Sequence, residues 1–244
     1  GNLNIAGGSL TALPGNDIFV GGNWNRTGGT FNLGGNTVTF DATSAKTIRS
    51  GGSAFSNLIF NGAGGGWTLQ DVLTLTGDLQ LTIGTLDISA SNYSLNVGGS
   101  WTNTGTFTAR SGTVTFNGSD TEETITSGGS NFYDLIFNGT GAWQLQDSLV
   151  TLRDLTVTQS DIVGDGIDFN TIGNTVTVGR NFSVAAIGKV TAGDAEIKVA
   201  GNWSVLAADK FNAGTSHVIF TGTTTNVTSN ANSFYDLTLG PQSA

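Results

Sequence analysis

The stretch GRNFSVAAIGKVTAGDAEIKV, Gly179–Val199, decides the fold. It is an additional copy of one piece of a larger internal repeat. Phe182 takes the place of Trp101, Val190-Thr191-Ala192 matches Phe107-Thr108-Ala109, and Ile197-Lys198-Val199 matches Val114-Thr115-Phe116. The next copy begins at once, with Trp203 standing 21 residues after Phe182. A unit of 21 residues suits one turn of three short strands. A chain that can insert one such unit is built from modules that contact only their neighbours.

Outward from that stretch the larger repeat is plain. Gly21-Gly22-Asn23-Trp24 returns as Gly98-Gly99-Ser100-Trp101 and as Ala200-Gly201-Asn202-Trp203. Thr37-Val38-Thr39-Phe40 returns as Thr113-Val114-Thr115-Phe116 and as His217-Val218-Ile219-Phe220. Phe55-Ser56-Asn57-Leu58 returns as Phe132-Tyr133-Asp134-Leu135 and Phe234-Tyr235-Asp236-Leu237, and Trp67 to Asp71 returns as Trp143 to Asp147. Trp24 and Trp101 are 77 residues apart, Trp101 and Trp203 are 102, and the extra coil accounts for most of the difference. Tandem immunoglobulin-like sandwiches would fit a 77-residue repeat, but they cannot absorb a 21-residue insertion without breaking their strand order. The expected fold is therefore all-β, a parallel β-helix (β-solenoid) with coils of about 20 residues. Residues 1–244 are read as one continuous solenoid. Its repeat units are 21–97 and 98–178, followed by the extra coil 179–200 and a partial repeat 201–244, while 1–20 close a preceding repeat.

Composition agrees. Charged residues make up only 11% of the chain, so its surface is neutral and polar, built from Thr, Ser, Asn and 37 glycines. Thr, Val, Ile and Phe broken by Gly and Asn are strand-and-turn chemistry. Cysteine is absent, which excludes disulfides and thiolate metal sites. A net charge of -9 with scattered basic residues argues against nucleic-acid binding. No apolar run has the length of a membrane span, and no signal peptide is read within these residues.

The Gly-Gly-Asn-Trp start, the Gly-Thr-Val-Thr-Phe-Asn-Gly strand from Gly112 to Gly118, and the Phe-Tyr-Asp-Leu strand resemble the tandem repeats of large bacterial surface proteins. They are similar in style to filamentous-haemagglutinin-like adhesins and autotransporter passenger domains. The resemblance implies an exported parallel β-helix at the cell surface or outside the cell, with a structural or adhesive role. It carries over no catalytic residue, and no enzyme is expected. The alternative is a carbohydrate-binding or carbohydrate-cleaving β-helix.

Individual residues are read against the repeat, because a residue recurring at one corner is more simply a turn former than a catalyst. Asp71 and Asp147 are such a pair, their carboxylates expected on backbone N–H groups, and so are Asp134 and Asp236. His217, the sole histidine, aligns with outward Thr37 and Thr113 and reads as a solvated strand residue. Trp24, Trp101 and Trp203 exchange with Phe182 and read as packed aromatics. Trp67 and Trp143 follow glycine-rich turns and are the candidates for exposed ligand contact. Asp161, Asp165 and Asp168 lie in a loop longer than its counterpart, and three carboxylates there could wrap calcium, the one ion the sequence suggests. The chain ends read as nearly in phase, giving the expectation of end-to-end self-association or of neighbouring repeats in the same polypeptide. Host or matrix glycans are the other partners to expect.

Overall fold

The computed structural model describes residues 1–160, 166–169, 173–223 and 225–240. Among them the regular elements are short β-strands, with no helix. The chain divides into two compact units, Gly1–Val114 and Thr115–Ala244.

In the first unit parallel strands stack in three columns. The first runs through Leu3–Ile5, Trp24–Arg26, Ala45–Arg49 and the end of Asn57–Leu69, with Leu3 opposite Trp24, Trp24 opposite Ile48, and Ile48 opposite Leu69. The second sets Ile18, Val38, Leu58, Leu79 and Trp101 side by side on successive coils. The third pairs Leu10 with Phe31 and, further on, Leu75 with Phe55 and Val97. Parallel neighbours cannot be joined by a hairpin, so the chain must travel around the stack before it returns. It does so about every 21 residues, as from Leu3 to Trp24 or from Leu58 to Leu79.

The second unit repeats the plan. Leu135, Leu155, Phe182, Trp203 and Val227 form one column. Trp143, Ile167, Val190 and Phe211 form another, and Leu149, Val176, Ile197, Val218 and Leu237 the third. The fold is a parallel β-solenoid. The parallel registers also dispose of the sandwich, whose strands are antiparallel.

Alternation builds the core. Leu58 and Phe60 point inward and are buried, as do Leu79 with Leu81 and Leu135 with Phe137. Because one coil sits on the next in register, like side chains stack on like. The Phe40 and Phe60 rings lie 5.3 Å apart at 13°, Phe116 and Phe137 5.3 Å at 17°, and Phe182 and Trp203 4.3 Å at 28°. Each buried ring contributes roughly 1.5–3 kcal/mol of transfer free energy, and a stacked pair adds about 0.5–1.5 kcal/mol.

The repeat and the coil are out of step. Three coils on from Trp24 the chain has reached Leu86, by way of Ile48 and the strand carrying Trp67 and Leu69. Trp101, the repeat equivalent of Trp24, comes two strands later and lies in the second column instead of the first. The second unit shows the same displacement. Leu135 stands in the column of Phe182 and Trp203, whereas its equivalent Leu237 stands in the column of Val218.

Candidate functional site

The recurring acids hold corners. Asp71 reaches back one coil, where its two carboxylate oxygens accept the N–H groups of Ser50 at 2.8 Å and Gly51 at 2.6 Å. Asp147 accepts the N–H groups of Ser127 and Gly128, both at 2.7 Å, and the Ser127 hydroxyl at 3.0 Å. These are the turn-forming contacts the repeat implies. Asp134 accepts Arg153 Nε at 2.7 Å and the Asp154 N–H at 3.3 Å, but its equivalent Asp236 is exposed beside His217. His217 Nε2 meets Thr238 Oγ1 at 2.7 Å and lies 3.9 Å from Asp236, so hydroxyl and carboxylate share one ring nitrogen, whereas a triad sets its acid on the other.

A second set of corner contacts was less visible in the sequence. The residue just before an inward aromatic or leucine extends its side-chain oxygen to the equivalent N–H of the next coil. Asn2 does so to Asn23 at 2.8 Å, Asn23 to Thr47 at 2.9 Å, Asn57 to Asp78 at 2.9 Å and Asp78 to Ser100 at 2.8 Å. In the second unit Asp154, Asn181 and Asn202 continue the habit, to Asn181, Asn202 and Asn226. The signal that could have found it is the recurrence of Asn or Asp before the column residue in Gly-Asn-Trp, Gly-Asp-Leu and Arg-Asn-Phe.

Among the described residues arginine–aspartate ion pairs staple coils together. Arg110 meets Asp87 through two bonds, at 3.0 and 2.6 Å, Arg153 meets Asp134, and Arg180 meets Asp154. The Arg110 hydrogen bonds hold the Asp87 carboxyl below the ordinary carboxylate range, against the burial that would raise it. At Asp154 burial works upward, but the Arg180 guanidinium and the Asn181 N–H more than offset it, and the carboxyl again lies low.

The tryptophan expectation needs correction. Trp67 and Trp143, candidates for exposed ligand contact, are 0% and 1% exposed. Trp67 packs 5.1 Å from Phe60, and Trp143 5.8 Å from Phe116. Gly64 is exposed, but Gly65, Gly139 and Gly141 are buried. A Cβ on Gly65 would stand 2.1 Å from the Ala42 carbonyl oxygen and 2.9 Å from the Trp67 ring. These buried positions are glycine because one coil presses its backbone on the next, at 2.0 Å from a Gly139 Cβ and 2.3 Å from a Gly141 Cβ. Trp24, Trp101 and Trp203 are buried as well.

Of the proposed calcium ligands, Asp161 and Asp165 lie outside the described residues. Asp168 is described, on Ile167–Asp168, where Gln144 Nε2 donates to its carboxylate at 3.2 Å. Among the described residues no group of three or more His, Asp or Glu is placed to hold a metal ion. No described helix is long and apolar enough to cross a membrane.

The structure also gathers residues that the sequence did not single out. A groove of about 460 Å³ crosses the first column of the first unit, lined by Asn2, Asn4, Asn23, Asn25, Thr47, Arg49 and Gln70 over a floor of Trp24. Asn4 and Asn25 are register partners, and so are Asn25 and Arg49. Asn2 and Asn23 use their side-chain oxygens as acceptors in the corner contacts, and an amide has N–H donors besides. Arg49 is exposed and enters no ion pair among the described residues. In the second unit a groove of about 330 Å³ is acidic instead, with Glu122, Glu123 and Asp168 beside Gln144. No family model matches the chain, and neither a curated protein nor a solved structure matches it.

Proposed function

We propose that this chain is a structural and adhesive segment of an extracellular or cell-surface protein, of the kind its repeats resemble in filamentous-haemagglutinin-like adhesins and autotransporter passenger domains. The observation that carries the reading is the use made of its recurring polar residues. Asp71, Asp147, Asn23, Asn181 and Asn202 bind the backbone of a neighbouring coil, so the repeated chemistry maintains the stack. A surface of Thr, Ser and Asn with few charges keeps its properties across salt and pH, as a secreted spacer must. Its partners in this reading are neighbouring repeats or further copies stacked end to end through continued strand pairing, and matrix glycans. Calcium held by Asp161, Asp165 and Asp168 would stiffen the long loop, and a calcium-dependent rise in melting temperature is its check.

The test combines force and adhesion. Pulled between two handles by atomic-force microscopy, the chain should resist and then yield coil by coil, each step releasing roughly 70 Å for ~21 residues at about 3.4 Å apiece. Beads coated with it should adhere to polysaccharide or matrix surfaces. Turnover of an oligosaccharide by the purified chain, or collapse without resistance and no adhesion, would overturn the reading.

A further inference from the structure

The repeat supplies an internal control for surface chemistry. Asp71 and Asp147, which close a corner, keep their type from copy to copy, and so do Asn23 and Asn202. A position that departs from its equivalents without a structural task marks what one copy alone does. The outward residue after the repeat aromatic is Thr102, Ser183 or Ser204, but Asn25 in the first copy. In Thr47-Ile48-Arg49-Ser50-Gly51 and Thr124-Ile125-Thr126-Ser127-Gly128 the third residue changes from Thr126 to Arg49. Nothing in the alignment of repeats relates these two departures, since they fall 24 residues apart. The fold makes them neighbours: Asn25 and Arg49 face each other on adjacent coils, inside the groove of about 460 Å³.

The lining selects its occupant. Arg49 presents a guanidinium that no carboxylate among the described residues neutralises, and a planar fork of donors takes a carboxylate through two parallel bonds. Asn4, Asn25 and Gln70 each offer a donor and an acceptor, and Thr47 a hydroxyl, the complement of a sugar's neighbouring hydroxyl groups. The only aromatic at the groove, Trp24, is 0% exposed, so there is little apolar surface for a hydrophobic ligand. The rows Asn4–Asn25–Arg49 repeat at the coil spacing, about 4.8 Å, which favours an extended polymer over a compact molecule.

We infer that this groove binds an acidic polysaccharide, with a uronate carboxylate on Arg49 and sugar hydroxyls on Asn4, Asn25 and Gln70. The inference rests on the adhesive part of the function proposed above and names its ligand class.

The experiment uses the full chain in affinity electrophoresis through gels containing polygalacturonate, alginate, dextran or dextran sulfate. Wild type should be retarded by the uronate polymers and pass freely through neutral dextran. Arg49→Thr with Asn25→Ser installs residues that other copies carry at these positions. The pair should weaken uronate binding by about tenfold or more, the loss of a bidentate contact, with an unchanged melting curve. Retardation by uronates that the double variant leaves intact would overturn the site while sparing the adhesive reading. So would absence of uronate retardation in a chain whose coated beads still adhere. Equal, variant-sensitive retardation by dextran sulfate would replace the uronate assignment with a general anion groove. Self-association abolished by Arg49→Thr and by Glu122→Gln with Glu123→Gln would assign the groove to the acidic edge of a second copy, and would also overturn it.

Discussion

Asp147 and Ser127 are joined twice, the carboxylate of one accepting both the N–H, at 2.7 Å, and the hydroxyl, at 3.0 Å, of the other one coil earlier. Ser127 is 1% exposed, so water cannot take over the bonds. Replacing Asp147 by Ala should therefore cost roughly 1–3 kcal/mol, the penalty of stranding buried donors. Asp147→Asn, which keeps one acceptor oxygen, should cost less. Urea unfolding of both variants measures this. Coincident midpoints for Asp147→Ala and wild type would show that the corner bond adds nothing.

All five tryptophans lie at 1% exposure or less. Their fluorescence should be emitted from an apolar surrounding and resist quenching by iodide until the chain unfolds. Trp67→Phe should be tolerated, since Phe182 already fills a tryptophan's place in the stack against Trp203. Trp67→Ala should lose about 3–5 kcal/mol by opening a cavity. Ready quenching in the folded chain would restore an exposed role for Trp67 or Trp143.

Asp87 and Asp154 both have lowered carboxyl pKa values in the folded state. A depressed carboxylate stabilises the fold above its unfolded pKa, near 3.9, and that contribution disappears as pH falls through the lower folded value. Stability should thus hold on acidification until about pH 4 and decline below it. Removing the partners with Arg110→Gln and Arg180→Gln should flatten the acid limb and lower neutral stability only slightly, since both arginines are solvent-screened. Chemical denaturation at several pH values would show it, and an acid limb unchanged in the double variant would count against these two pairs as its source.

Deleting Arg180 through Ala200 joins Gly179 to Gly201 and removes 21 residues, the step that separates Phe182 from Trp203. Trp203 would then lie against Leu155, which Phe182 now covers. The shortened chain should fold cooperatively with the same circular dichroism per residue and a smaller denaturant slope. Loss of cooperative unfolding would contradict modular stacking.

The coil length and the parallel stack were legible because Phe182 and Trp203 share a sequence neighbourhood at the coil spacing. The inward direction of Trp67 was not, since a run such as Gly64-Gly65-Gly66 looks the same in an open turn and under a close backbone crossing. Only the Ala42 carbonyl, held 2.1 Å from where a Gly65 Cβ would be, separates the two. The Asn25–Arg49 groove was hidden for another reason. Its residues are ordinary one at a time and become a site only through a register that spans coils.

The mismatch between repeat and coil has an effect on how such a sequence can change. Trp24 and Trp101 occupy different columns, as do Leu135 and Leu237, so duplication of the long repeat, unlike that of the single coil, turns its cargo by one face. The arrangement works like a vernier. A mutation copied along with its repeat is dealt around the circumference, where an in-step repeat would line it up. Sticky substitutions are thereby kept from accumulating into one flat adhesive flank, and a favourable grip, once duplicated, is offered in a new direction.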